Sequence, residues 1–231
     1  MSLVEISNLS KTYQTGEIVI SALKNVSLEI EAGTFVSIVG PSGSGKTTLL
    51  NLIGVLDQPS SGSIKVAGKE VSQLTNRQRA EFRGDHLGFV FQNFNLIPVL
   101  TVYENVEYPL IMVKNESAAK NRDLVRGLLD AVGVLDQQFK RPHQISGGQM
   151  QRVAVARALV TRPKLVIADE PTANLDHDTA FKIINLMKEM KDQWNTTFLF
   201  STHDPKIIDE AEIIYTLEDG ILKGKQDRRN K

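Results

Sequence analysis

Three groups of residues in this 231-residue chain have types and spacings suited to chemistry on phosphate. Gly40-Pro41-Ser42-Gly43-Ser44-Gly45-Lys46-Thr47 fits the pattern G-x-x-x-x-G-K-[ST], between the apolar run Phe35–Val39 and the helical pattern Thr48–Ile53. Glycines let such a loop wrap a phosphate, so that backbone N–H groups and the positive end of the following helix point at it. In that pattern Lys46 reaches the β- and γ-phosphates of a nucleotide, and the Thr47 hydroxyl is a Mg²⁺ ligand. The second group is Leu165-Val166-Ile167-Ala168-Asp169-Glu170, an apolar run ending in two carboxylates. Asp169 is the candidate to hold Mg²⁺ through water, because that ion keeps much of its hydration shell. Glu170 is the candidate base that orients or deprotonates an attacking water. Alone, two acids ahead of Pro171 fit a solvated strand exit equally well; beside a phosphate loop the chemical reading takes precedence. The third group, Ser146-Gly147-Gly148-Gln149, opens the helical stretch Met150–Val160 with Arg152 and Arg157. A capped Ser-Gly-Gly turn is a second anion-binding device, and also a plain helix cap.

The elements that must position these groups are legible as pattern. Phe35–Val39, Leu165–Ala168 and Thr197–Phe200 are short, nearly continuous apolar runs with helical patterns between them, as in parallel sheets buried on both faces. Residues 3–9, 18–23 and 25–31 read as separate short strands of an antiparallel region at the start, and the stretch from Asn93 to Val160 is mostly helical, punctuated by Pro98, Pro109 and Pro142. The polar tail Lys223–Lys231 is expected to fray. The fold class is therefore α/β, a nucleotide-binding core with a helical insertion.

Composition narrows the classes further. With 27 Lys plus Arg against 27 Asp plus Glu, there is no basic excess for bulk nucleic-acid binding. At 41% hydrophobic and 23% charged the chain is not of a disordered class. No Cys is present, which excludes disulfides, thiolate metal sites and Cys nucleophiles. His86, His143, His177 and His203 are scattered without metal-ligand spacing. No apolar stretch is long enough to cross a bilayer, and Met1–Ile6 has neither the charged nor the apolar region of a signal peptide. A cytoplasmic, soluble chain whose membrane role comes through a partner is expected.

With both phosphate-recognising elements in one chain, the sequence resembles the ATP-binding cassette (ABC) ATPases over nearly all its length. Ile145–Gln149 is similar to their signature motif, with Ile145 where Leu is commoner. Tyr13 fits the aromatic that stacks on adenine, Gln92 after Gly88–Phe91 the Q-loop glutamine, Asn174-Leu175-Asp176 the D-loop, and His203 after Phe200–Thr202 the switch histidine. Each has an ordinary competitor: a strand-edge aromatic, a polar strand end, a helix cap at Asp176, a solvated histidine. Their ordered coincidence carries the resemblance.

The resemblance implies an ABC ATPase fold, a P-loop NTPase (RecA-like) core with an N-terminal antiparallel β region. Residues 1–91 and 160–231 would form the core and 92–159 the helical subdomain. It implies ATP hydrolysis, with Glu170, His203, Lys46 and Gln92 as catalytic residues. ATP would be bound by Tyr13, by Gly40, Pro41, Ser42, Gly43, Ser44, Gly45, Lys46, Thr47 and Thr48, and by Ser146, Gly147, Gly148 and Gln149. Mg²⁺ would be bound by Thr47, Gln92 and Asp169. It further implies a head-to-tail homodimer in the ATP-bound state, each nucleotide lying between the phosphate loop of one copy and Ser146–Gln149 of the other.

Gly88–Ile111, Pro171–Asp176 and the compact length are similar to the lipoprotein-release and macrolide-exporter (LolD/MacB) branch, with the cell-division ABC ATPase a close neighbour. That branch implies an integral membrane permease partner (FtsX/MacB-like), a place on the inner face of the cell membrane and no nucleic-acid partner. A non-transport ABC ATPase, of DNA-repair or cell-division type, is the alternative. The apolar Phe94, Leu96, Ile97, Val99 and Leu100 either line a groove for the partner's helix or belong to the subdomain core.

Overall fold

The computed structural model describes residues 2–16, 18–114 and 118–229. The chain runs as β1 (Ser2–Thr15), β2 (Ile18–Glu31), β3 (Phe35–Val39), α1 (Lys46–Ile53), β4 (Ser61–Val66), β5 (Lys69–Glu70), α2 (Asn76–His86) and β6 (Leu87–Phe91). There follow α3 (Val102–Lys114), α4 (Ala118–Ala131), α5 (Gly147–Leu159), β7 (Leu165–Asp169), α6 (His177–Trp194), β8 (Thr197–Ser201), α7 (Pro205–Ile208), β9 (Ile213–Glu218) and β10 (Ile221–Asp227). Among the described residues the strands make an antiparallel sheet in the order β2-β1-β4-β5 and a second sheet in the order β10-β9-β3-β8-β7-β6. In the second sheet every pairing is parallel except β9 with β10.

The continuous apolar runs are explained by two cores, one on each face of the second sheet. Phe35, Val166, Phe198 and Phe200 pack into one with α5 and α6. Their strand neighbours Val36, Leu165 and Leu199 pack into the other with α1 and the β1–β2 hairpin. Successive side chains alternate faces, and here both faces are dry. Burying each large side chain contributes roughly 1.5–3 kcal/mol, which holds the C-terminal edge of β3, β7 and β8 as a rigid shelf.

Three expectations change. Residues 18–23 and 25–31 form one strand, because Asn25 adopts a φ of 51° and its N–H donates to Ser10 Oγ at 3.0 Å. The side chain replaces a missing ladder bond, so the irregularity bends the strand without ending it. Pro109 sits inside α3 and does not terminate it. The tail does not fray over Lys223–Asp227, which pairs with β9 in β10, and Arg228 bonds Asp209 while Arg229 bonds Glu31 and Asp227. Its last two residues lie outside the described ones.

Candidate functional site

The phosphate loop leaves β3 at Gly40 and enters α1 at Lys46. Gly40 has a φ of 153°, and a Cβ there would fall 2.0 Å from the Leu217 carbonyl oxygen, so the loop presses against the end of β9 where no side chain fits. The Gly220 N–H donates to the Ser44 carbonyl at 3.0 Å and braces the loop from the β9–β10 turn. Ser44 is buried, whereas Pro41, Ser42 and Gly43 form an exposed rim. At Gly45 the helix begins with no side-chain cap, which leaves its first amides free to meet an anion. Lys46 Nζ donates to the Gly40 and Pro41 carbonyls at 2.8 and 3.0 Å, which curls the ammonium over the loop.

From Thr47 a line of hydrogen bonds crosses two strand ends, those of β7 and β8. Thr47 Oγ1 donates to Asp169 Oδ2 at 3.0 Å, and Ser201 Oγ donates to Asp169 Oδ1 at 2.6 Å. The same Ser201 hydroxyl accepts from the Glu170 N–H at 3.0 Å. His203 Nδ1 lies 3.1 Å from both Glu170 carboxylate oxygens, with the imidazole 72% exposed and the carboxylate 17%. Register explains the meeting: Asp169 stands opposite Ser201 on β8 and opposite Phe91 on β6. Glu170 has a φ of 48°, a left-handed conformation that costs a non-glycine residue about 1–3 kcal/mol and turns its carboxylate back toward His203.

Gln92 follows β6, exposed, and its carbonyl accepts from Asn174 Nδ2 at 3.0 Å. Its side chain makes no hydrogen bond to Thr47 or Asp169 in this structure. Asn174 Nδ2 also reaches Asn93 Oδ1 at 3.2 Å, so the segments carrying Gln92 and Asn174-Leu175-Asp176 are tied together. Arg157 holds the next turn, donating to the Phe94 and Asn95 carbonyls at 2.8 and 2.5 Å. Burial lowers the pKa of this guanidinium. Asp176 caps α6, accepting from the Thr179 N–H at 3.1 Å.

Ser146 caps α5 in a reciprocal box. Its hydroxyl accepts from the Gln149 N–H at 3.3 Å, and its own N–H donates to Gln149 Oε1 at 3.0 Å. Gly147 lies against Phe94 and Leu175, and a Cβ on Gly148 would meet Thr179 Cγ2 at 2.6 Å. None of the hydrogen bonds of Ser146–Gln149 reaches the phosphate loop of the same chain. Tyr13, 38% exposed on β1, donates to Asp57 Oδ2 at 2.8 Å, and burial followed by this bond raises its pKa. The structure thus links Thr47, Asp169, Glu170 and His203 by way of Ser201, and Gln92 with Asn174. It keeps Ser146–Gln149 in a separate turn.

Sequence reasoning missed Ser201, Asp57 and the 217–220 turn. Ser201 was within sight, two residues before His203, but nothing in the sequence reveals that its strand neighbours are Asp169 and Glu170.

A groove of about 410 Å³ opens between α2, β6, α3 and α5, lined by Leu56, Phe89, Phe91, Pro109 and Val113 with Arg157 at its wall. Asn95 also lines it, but the apolar Phe94, Leu96, Ile97, Val99 and Leu100 do not. Asn105 straps that segment back, bonding the Ile97 N–H at 2.7 Å and the Ile97 and Leu100 carbonyls. Leu96 joins the core, and Val99 points outward at 73% exposure.

The ABC transporter family matches residues 23–173 of the chain. The lipoprotein-releasing system ATP-binding protein LolD of Anaeromyxobacter dehalogenans is 44% identical over 217 residues, 94% of this chain and 91% of that protein. The macrolide export ATP-binding/permease protein MacB of Syntrophobacter fumaroxidans is 42% identical over 224 residues, and the chain spans 31% of its length. Among solved structures, a dimer of the ATP-binding cassette MJ0796 in a post-hydrolysis state with ADP and phosphate has a TM-score of 0.90. It is 42% identical and covers 98% of this chain and 99% of its own; MJ0796 is a protein of Methanocaldococcus jannaschii.

Proposed function

This chain belongs to the ABC transporter family, and from that premise we propose that its site binds ATP at the phosphate loop and hydrolyses it to ADP and phosphate to drive a membrane complex. The observation that carries the reading is the unbroken hydrogen-bonded line Thr47–Asp169–Ser201–Glu170–His203 beside that loop. Lys46 exchanges its two carbonyl acceptors for β- and γ-phosphate oxygens, and the uncapped start of α1 adds N–H donors where negative charge concentrates. Thr47 and Asp169 offer hard oxygen donors within 3.0 Å of each other, the donor type that suits Mg²⁺, with Gln92 a further ligand by resemblance. Bound there, Mg²⁺ would offset charge on the transferred phosphoryl group. Glu170 orients the attacking water and takes its proton, while His203 holds the carboxylate in place and senses the γ-phosphate.

Ser146–Gln149, whose bonds do not reach their own phosphate loop, act on the nucleotide of a second copy. The dimeric state of the related cassette supports that arrangement. No helix among the described residues is long and apolar enough to cross a membrane. The chain works at the cytoplasmic face, held by an FtsX/MacB-like permease whose helix enters the groove lined by Phe89, Phe91 and Val113. The names of the relatives favour transport over a DNA-repair or cell-division role.

Glu170→Gln tests the reading. Turnover should fall by about 10²–10⁴ with ATP binding retained, and light scattering after size exclusion should show a dimer only when ATP is present. Near-normal hydrolysis would sink the assignment of Glu170. A variant that fails to bind ATP would sink the nucleotide site.

A further inference from the structure

Two residues outside every motif named above hold the phenol of Tyr13. Its hydroxyl donates to Asp57 Oδ2, and Asp57 Oδ1 accepts from Lys11 Nζ at 2.8 Å and from the Gln58 N–H at 2.7 Å. Lys11 Nζ also donates to the Gln58 carbonyl at 2.7 Å and stands 4.7 Å from the centre of the Tyr13 ring. The Lys11 side chain is only 11% exposed and that of Asp57 31%, so solvent screens this pair less than a free surface pair. Asp57 comes from the turn after α1, where the Leu56 and Asp57 N–H groups both donate to the Asn51 carbonyl. The carboxylate is therefore anchored to the far end of the helix that starts at Lys46.

An unpinned tyrosine on a strand moves among rotamers, and a base that stacks on it must first order the ring. Here the hydroxyl bond fixes the tilt of the ring and an ammonium covers one of its faces. Asp57 neutralises that ammonium, so the arrangement adds no net charge beside a triphosphate. We infer that Lys11 and Asp57 are positioning residues for base recognition, offering a purine the opposite face of an already ordered ring at a set distance from the phosphate loop. The inference rests on reading Tyr13 as the platform for adenine.

Calorimetric titration of Mg·ATP and of Mg·tripolyphosphate, which carries phosphates and no base, separates positioning from general stability. Lys11→Met, Asp57→Asn and Tyr13→Phe should each weaken ATP about three- to tenfold while leaving tripolyphosphate within about twofold. Once Tyr13→Ala is present, adding Lys11→Met should change neither ligand further. Equal losses for both ligands, unchanged ATP affinity, or full additivity with Tyr13→Ala would each overturn the inference. If Asp57→Asn does not fold, Lys11→Met, which keeps the apolar stem, and Tyr13→Phe decide the matter. Tyr13→Ala leaving the ratio of the two affinities unchanged would instead remove the base platform itself, and the inference with it.

Discussion

At Ser201 one hydroxyl donates to Asp169 and accepts from the Glu170 N–H, so a single atom sets the angle between the two acidic residues. Ser201→Ala removes both bonds at a buried position. Turnover should drop about tenfold, equivalent to ~1.4 kcal/mol of lost transition-state stabilisation, and the folded state should lose about 1–2 kcal/mol. Steady-state kinetics and thermal unfolding check the two effects separately. Asp57 carries a pH signature of its own. Burial opposes its ionisation, but hydrogen bonds from Lys11, the Gln58 N–H and Tyr13 outweigh that and leave its pKa below the ordinary value. A carboxylate with a depressed folded pKa contributes stability that is full above its unfolded value near ~3.9 and lost as pH falls through the folded one. Asp57→Asn should therefore melt lower than the parent at pH 6, with the gap narrowing below about pH 4. A gap that stays constant between pH 6 and pH 3 would detach the effect from its charge.

Helix ends are built differently at the two turns read as anion-binding. The start of α1 has no side-chain cap and keeps its N–H groups available, whereas the start of α5 uses Ser146 in a capping box. The contact of Gly148 with Thr179 packs that second turn against the first turn of α6. Gly148→Ala would drive a methyl group into Thr179 Cγ2. It should cost about 1–3 kcal/mol and, by tilting the turn, abolish the ATP-dependent dimer of the Glu170→Gln protein. Adding Thr179→Ser removes the clashing methyl and should restore both. Failure of that rescue would mean the glycine matters for another reason. The same helices show what pattern alone misses: Pro109 reads as a stop, yet it lies within α3 on the groove side.

At the scale of the whole molecule the Gln92–Asn95 turn links the residues read as the nucleotide site to the groove, whose wall includes Asn95. Asn174 grips the turn at Gln92, and Arg157, which lines the groove, grips it at Asn95. An occupant of the groove therefore touches the support of a residue read as catalytic. Val113→Asp puts a charge into the groove without contacting Lys46, Glu170 or Tyr13. Basal ATP hydrolysis should stay within about twofold, while co-purification with the cognate permease should fall by at least about tenfold, on the scale of one buried unpaired charge. Unchanged co-purification would move the docking surface elsewhere.

Read alone, the residues determined the fold class and offered the phosphate-loop pattern with Lys46 and Thr47 and the acids Asp169 and Glu170 as site candidates. These depend on local rules: a loop needs its glycines within one short segment, and a strand dry on both faces must be apolar throughout. The partners of these residues were settled only by tertiary structure. Ser201 stands opposite Asp169 through strand register, Asp57 meets Tyr13 through the turn after α1, and Arg157 reaches the Phe94 and Asn95 carbonyls from another helix. Of the two readings open for the apolar residues 94–100, groove or subdomain core, Leu96 takes the core, and Asn105 straps the segment down away from the groove lined by Leu56, Phe89 and Val113. Strand order and helix packing join residues distant in sequence, and no local pattern encodes which distant residues will meet.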